Sequence, residues 1–101
     1  MNRKTLRHPS LRPSHPGELL AADLGSMKVS KTEVAASLGI TRKALYDVLD
    51  GSTAVTPAMA VRLEAVLGSS AEMWFGMQAA HDLWKARQKV ETKKLKRLVA
   101  A

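Results

Sequence analysis

The stretch that most constrains the fold is residues 30–51, which read SKTEVAASLGITRKALYDVLDG. Ser30 is followed three residues later by Glu33, which is the pattern of a capping box at the start of a helix. Apolar residues then recur at helical spacing on both sides of Gly39, and glycine ends helices readily because it accepts left-handed backbone. Thr41 is a second N-cap. The stretch therefore predicts two short helices joined by a tight turn, which is a helix-turn-helix.

The outward residues of the second predicted helix are suited to contact DNA. A recognition helix directs its N-terminal residues towards base edges in the major groove. Arg42 can donate two hydrogen bonds to guanine, and Lys43 can reach the same acceptors or a phosphate. Thr41 can bind a phosphate at the positive end of the helix dipole, and Lys31 can hold the flanking backbone. The alternative is that Arg42 and Lys43 form only a solvated face.

Length and composition indicate one small domain. The chain has 101 residues, of which 46% are apolar, and this is enough for a compact core. It has no cysteine, which excludes disulfides and thiolate metal sites and fits a reducing cytoplasm. No apolar run approaches the roughly 20 residues that cross a bilayer, and the arginines near the start precede no apolar signal segment.

Positive charge is concentrated at the two ends. The net charge is +7, and of the 16 basic residues four lie in residues 1–12 and seven in residues 85–101. A chain with this balance favours a polyanionic partner. Nucleic acid is the simplest such partner, and an anionic membrane surface is the alternative.

These features divide the chain into three parts. Residues 1–14 contain two prolines and no apolar period, and we expect a flexible basic arm that either lies along DNA or has no partner. Residues 15–88 form the helix-turn-helix domain. Residues 89–101 form a basic tail, either a short helix or flexible chain. Besides the helix-turn-helix pair, the domain is predicted to contain helices that begin at His15-Pro16, at Thr56-Pro57 and at about Ala71.

The last predicted helix has two apolar stripes. One contains Met73, Met77, Ala80 and Trp84, and the other contains Phe75, Ala79, Leu83 and Ala86. A helix that packs on one side normally has one stripe, so we expect one stripe to cover the domain and the other to meet a second copy of the chain. The alternative is a helix buried on two sides within its own domain. Since Trp and Met are common at interfaces, the predicted dimerisation residues are Met73, Trp74, Met77, Ala80 and Trp84.

No pattern in the sequence indicates catalysis or a cofactor. The three histidines, His8, His15 and His81, are scattered, and His15 has no second ligand at metal spacing. We therefore interpret His15 as a structural or surface residue. His81 and Asp82 are adjacent and point about 100° apart on a helix, so they do not form a dyad. We expect a protein that is not an enzyme and binds no metal or cofactor.

Three segments together resemble the HigA-type antitoxins of bacterial toxin–antitoxin systems, within the larger lambda-repressor-like (XRE) group of DNA-binding proteins. They are HPGELL, LGITRKALYDVLDG and VTPAMAVRLEAVLGSSAEMWFGMQAAHDLW. The resemblance covers about residues 15–87. Its most specific parts are the HPGE start, the helix with Thr56, Pro57, Ala60, Arg62 and Leu63, and the segment with Trp74, Gln78, Asp82, Leu83 and Trp84.

The resemblance implies a five-helix, all-α lambda-repressor-like domain that dimerises on a palindromic operator and represses its own promoter. It also implies a HigB-type partner, a RelE-like ribonuclease toxin that cleaves mRNA and is held inactive. Such a toxin is usually basic, so contact is expected at the acidic residues Glu18, Asp23 and Glu33 or at apolar surface. A stand-alone XRE-family regulator without a toxin is the alternative.

The resemblance also assigns the exposed DNA-facing positions. They are Thr41, Arg42, Lys43, Tyr46 and Asp47, with Leu45 and Val48 facing inward. The family often has a basic residue after the glycine that follows the recognition helix. Here Gly51 is followed by Ser52, so a phosphate contact at this point is expected from hydroxyl or backbone groups.

Overall fold

The computed structural model describes residues 12–100. Over this range the chain forms five α-helices, one short 3-10 turn at Thr92–Lys94 and no strand, which confirms the all-α, five-helix prediction. Most of the predicted basic arm, residues 1–11, lies outside the described residues. The helices are α1 (Pro16–Gly25), α2 (Lys31–Leu38), α3 (Arg42–Leu49), α4 (Pro57–Leu67) and α5 (Ala71–Lys89).

Local capping sets where the helices begin. The side chains of Ser30, Thr41, Thr56 and Ser70 each accept a hydrogen bond from the backbone N–H three residues on, at 3.0–3.1 Å. These bonds satisfy N–H groups that have no partner within the helix. The sequence prediction of these four helix starts is confirmed.

A single core joins all five helices. Leu45, Leu63 and Trp74 are fully buried, and each comes from a different helix. Val55, in the loop before α4, is also buried and belongs to this core. The remaining core residues are Leu20, Leu24, Val34, Ala35, Leu38, Val48 and Ala60.

Helix α1 packs very closely on α3 at Gly17. A Cβ atom at this position would lie 2.0 Å from the carbonyl oxygen of Val48, so only glycine permits the contact. Gly17, in the HPGE start of the domain, therefore permits the close approach of α1 to α3.

The chain is elongated because the end of α5 and the tail extend beyond the core. The principal extents are 52 × 32 × 20 Å. Within α5 only Trp74 and Gln78 are buried, and every described residue after Trp84 is exposed. The prediction that one apolar stripe of α5 covers the domain is wrong, because the two buried residues lie one turn apart between the stripes.

Candidate nucleic-acid interface

The turn between α2 and α3 has the geometry that a helix-turn-helix needs. Gly39 is left-handed, with φ 73°. Its N–H donates to the Ala36 carbonyl oxygen at 3.1 Å, and the Ile40 N–H donates to that of Ala35 at 3.0 Å. This pair of bonds is a Schellman motif, which ends α2 and reverses the chain into α3.

Arg62 completes the turn from α4. Its Nη1 donates to the Leu38 carbonyl oxygen at 2.8 Å, a group that the helix itself leaves without a partner. A Cβ atom on Gly39 would lie 2.8 Å from the same nitrogen, so the arginine and the glycine fit together. The sequence marked Arg62 only as part of a family motif, and its partner lies 24 residues away.

Helix α3 presents its N-terminal half to solvent. Thr41 caps the helix by accepting from the Ala44 N–H at 3.0 Å. Arg42, Lys43 and Tyr46 are exposed, whereas Asp47 is half-buried. Leu45 and Val48 point into the core, as predicted. The structure thus places the predicted DNA-facing residues of α3 together on one side.

Two hydrogen bonds hold the long side chains of this surface. Arg42 Nη1 donates to Thr32 Oγ1 on α2 at 3.1 Å. Lys43 Nζ lies 3.0 Å from Asp47 Oδ2, one turn further along α3. In the folded chain each of the two cationic side chains thus has one polar partner on the same surface.

The two residues outside α3 that were predicted to contact DNA, Lys31 and Ser52, have different surroundings. Lys31 is the first residue of α2 and is half-buried. Ser52 donates from both its backbone N–H and its hydroxyl to Asp50 Oδ1, so its donors are engaged within the loop. The Ser52 hydroxyl and then its N–H lower the pKa of Asp50, which keeps a negative charge beside Ser52. A phosphate contact from Ser52 therefore requires one of its donors to leave Asp50.

The first apolar stripe of α5 contains every predicted dimerisation residue except Trp74. Met73 and Ala80 are exposed, and Met77 and Trp84 are half-buried. Met73, Met77 and Ala80 line a groove of about 430 Å³ beside Pro13. The other stripe is also open, with Phe75 and Leu83 44% and 53% exposed. Exposure alone therefore does not choose between the two stripes.

Trp74 belongs to the core rather than to the first apolar stripe. It is 0% exposed and packs among the other core residues, so it has no surface to offer to a second copy. Buried beside it, Gln78 accepts from the Val55 N–H at 2.7 Å and donates to Asp82 at 2.9 Å. The W-x-x-x-Q-x-x-x-D segment thus ties α5 to the loop before α4.

His15 is structural, as interpreted from the sequence. It is buried, and its Nδ1 accepts from the Gly17 N–H at 2.9 Å, which caps α1. Its ring meets that of His81 edge to face at 5.2 Å. His81 Nδ1 lies 2.9 Å from the Pro13 carbonyl oxygen. Burial first, and then the neighbouring His81, lower the pKa of His15.

The described part of the chain contains neither a metal-binding cluster nor a membrane span. Within residues 12–100, no three His, Cys, Asp or Glu side chains are close enough to hold a metal ion. None of the helices described there is long and apolar enough to cross a membrane.

The folded body does not carry the positive charge of the chain. Residues 15–84 contain five basic and eight acidic side chains, so their net charge is −3. Residues 30–51 contain three of each and are neutral. The remaining eleven basic side chains lie in residues 1–14 and 85–101, with one acidic side chain. A polyanion is therefore attracted by the ends of the chain more than by the recognition helix.

Several known proteins are similar to this chain in sequence and in fold. A helix-turn-helix family model matches residues 20–74. YddM, an uncharacterized HTH-type transcriptional regulator of Escherichia coli K12, is 35% identical over 95% of this chain and 97% of its own. Antitoxin HigA-1 of Vibrio cholerae is 32% identical over 85% of this chain and 82% of its own. The solved structure of antitoxin GraA in complex with its operator has a TM-score of 0.80 and 32% identity, covering 94% of this chain and 99% of GraA.

Proposed function

The chain belongs to the helix-turn-helix family that includes the HigA antitoxins, and we propose that it is a sequence-specific DNA-binding repressor of this type. It acts by binding rather than by catalysis, on operator DNA in the bacterial cytoplasm. The observation that carries the proposal is the exposed N-terminal half of α3, capped by Thr41 and set against α2 by the Gly39 turn.

In this proposal each exposed residue of the interface has a role. Arg42 and Lys43 enter the major groove and contact base edges. The Thr41 cap and the first N–H groups of α3 bind a phosphate. Tyr46 lies against the groove wall, and Lys31 contacts the backbone at the start of α2. Contacts to bases specify the DNA sequence, whereas contacts to phosphates position the protein on the duplex. Arg42 and Lys43 therefore determine which operator is bound.

The functional unit is a dimer. Its two recognition helices reach successive major-groove segments, about 34–36 Å apart, and read a palindrome. Met73, Met77, Ala80 and Trp84 on α5 form the interface, since they make one apolar stripe and the first three line an open groove. Residues 15–88 are then the binding and dimerising domain, with a basic arm before it and a basic tail after it.

The second activity is neutralisation of a HigB-type ribonuclease toxin encoded beside this gene. The acidic body supports this assignment, because a basic toxin is attracted to residues 15–84 even though the whole chain is positive. Asp23 and Glu33 are available on α1 and α2, whereas Glu18 is paired with Arg12 at 3.2 Å. The alternative is a stand-alone regulator, and a short RelE-like reading frame next to the gene would discriminate between the two.

The decisive experiment compares binding to the gene's own promoter with binding to a scrambled duplex at 50 and 200 mM salt. A specific repressor prefers the promoter by roughly a thousandfold or more and keeps that preference at the higher salt. Equal binding to both duplexes that disappears as salt rises would instead mean that the basic ends alone are responsible.

A further inference from the structure

Helix α3 carries a donor and an acceptor side by side on its DNA-facing surface. Lys43 Nζ and Asp47 Oδ2 are 3.0 Å apart, and the two residues are separated by one helical turn. The Lys43 side chain is 84% exposed and that of Asp47 is 28% exposed. The Lys43 side chain is therefore the more exposed of the two, and its ammonium group lies beside the Asp47 carboxylate.

Helix stabilisation accounts poorly for this pair. An acid placed four residues before a lysine stabilises a helix better than the reverse order, and the order here is the reverse. Lys43 is also the second residue of α3, where the helix dipole disfavours a cation. An exposed pair of this kind therefore contributes little to the stability of the helix.

A carboxylate is also unexpected on a surface that approaches phosphates. The phosphates would repel the carboxylate unless it accepted a hydrogen bond from a donor on the DNA. In the major groove that donor is specific, because the 4-amino group of cytosine donates while its partner guanine offers the acceptors O6 and N7.

We propose that Lys43 and Asp47 together read one G·C base pair in each half-site. Lys43 donates to guanine O6, and Asp47 accepts from cytosine N4. This inference rests on the proposed function, since it requires α3 to enter the major groove. The structure supports it by holding the ammonium and carboxylate as neighbours, as the guanine and cytosine groups are neighbours across one base pair.

The arrangement discriminates by repulsion as well as by attraction. Replacing G·C with A·T places the adenine amino group opposite the Lys43 ammonium and the thymine O4 opposite the Asp47 carboxylate. Two donors and two acceptors then face each other, which is how an interface rejects a wrong partner. We expect this replacement to weaken binding by the wild-type protein about 10- to 100-fold.

The first test is selection from a duplex library with a randomised core, using the full chain. The variants are Lys43→Ala, which removes the donor, and Asp47→Ala, which removes the acceptor. Lys28→Ala and Glu91→Ala are the matched controls, since each removes the same charge from an exposed residue outside α3. The wild type and the controls should select a palindrome with a G·C pair, and each α3 variant should show a weaker preference at that position, because one of the two base contacts remains.

The second test uses the duplex selected by the wild type, with G·C, inosine·C or A·T at that position. Inosine keeps O6 and N7 and leaves the cytosine amino group in place, so inosine·C should bind like G·C. If inosine·C behaves like A·T, the pair is not read in the major groove and the inference fails.

The outcomes separate the inference from the function on which it rests. If the wild type selects a motif and Asp47→Ala selects it with an undiminished preference for G·C, Asp47 is only a partner of Lys43 within the helix, and the inference fails while the function stands. If the wild type selects no motif, the proposed function fails and the inference fails with it.

Discussion

Arg62 affects the recognition surface without facing it. Its bond to the Leu38 carbonyl oxygen ends α2 and ties the turn to α4. We expect Arg62→Ala to lower the free energy of unfolding by about 1–2 kcal/mol, because the variant has no charged donor for an otherwise unsatisfied carbonyl. Urea denaturation measures this change. Arg87→Ala is the matched control, since it removes an equal charge from the exposed end of α5; equal effects of the two variants would contradict the role of Arg62.

His15 makes stability depend on pH. Its Nδ1 must stay unprotonated to accept from the Gly17 N–H, and burial lowers its pKa below the ordinary value of 6.5. The unfolded chain therefore binds this proton more readily than the folded one. The stabilisation is complete above pH 6.5 and disappears as pH falls from 6.5 through the folded pKa.

The groups around His15 act in both directions. His81 adds to the lowering of its pKa, whereas the backbone of Thr53 and the carboxylates of Asp82 and Glu18 oppose it. Unfolding free energies measured between about pH 5 and 7.5 should fall on the acid side, and His15→Asn, which keeps a capping oxygen but does not titrate, should flatten that fall. An unchanged slope in this variant would assign the pH dependence to other groups.

The roles of single residues were predictable where the partner is close in sequence. Ser30 and Thr41 cap helices through N–H groups three residues away, so the pattern of residue types was sufficient. Arg62 and Gln78 bond to groups 24 and 23 residues away, and only the folded chain brings those partners together. The sequence marked both residues as parts of a motif without indicating what they contact.

At the scale of the element, α5 is the helix whose faces are open to test. Ala79 and Ala80 are adjacent and both exposed, and they belong to different apolar stripes. If Met73, Met77, Ala80 and Trp84 form the dimer interface, Ala80→Arg should leave the fold intact and produce a monomer at micromolar concentration. Sedimentation equilibrium measures the mass, and Ala79→Arg is the matched control. Dissociation by Ala79→Arg alone would assign the interface to the other stripe.

The periodicity of α5 predicted a helix correctly but its packing wrongly. Hydrophobic spacing identifies apolar faces, and α5 has two of them. The residues of α5 that are buried are instead Trp74 and Gln78, which lie between those faces. The side-chain amide of Gln78 is polar, so hydrophobic spacing does not identify it as a buried group. The buried amide is stabilised by hydrogen bonds to Val55 and Asp82, and the spacing of apolar residues could not indicate these bonds. For α2, by contrast, the apolar residues that recur at helical spacing, Val34, Ala35 and Leu38, are those that are buried. In α3 the spacing predicts four inward residues, of which Leu45 and Val48 are buried and Ala44 and Leu49 are half-buried.

At the scale of the whole molecule, attraction and recognition are located in different parts of the chain. The body, residues 15–84, has a net charge of −3, and the eleven basic side chains outside it lie towards the two ends. The tail after α5 is exposed throughout its described length, so its cations can reach phosphates without moving the domain. DNA encounter should then depend on the ends, and the choice of sequence on α3.

This division predicts that neutralising the tail weakens binding without changing the preferred sequence. Replacing Lys93, Lys94, Lys96 and Arg97 by Gln should lower affinity for promoter and scrambled duplexes by the same factor. The slope of log affinity against log salt concentration should also become shallower, by about 0.9 for each phosphate that the tail no longer neutralises.

The control for this prediction is Leu95→Ala combined with Leu98→Ala, which changes the tail but keeps its charge. Titrations of both duplexes at 50 and 200 mM salt measure the affinities and the slope for each variant. If the ratio of promoter to scrambled affinity collapses when the charges are removed, the tail takes part in recognition. The assignment of sequence choice to α3 alone would then be wrong, because the cations that attract DNA would also be helping to select it.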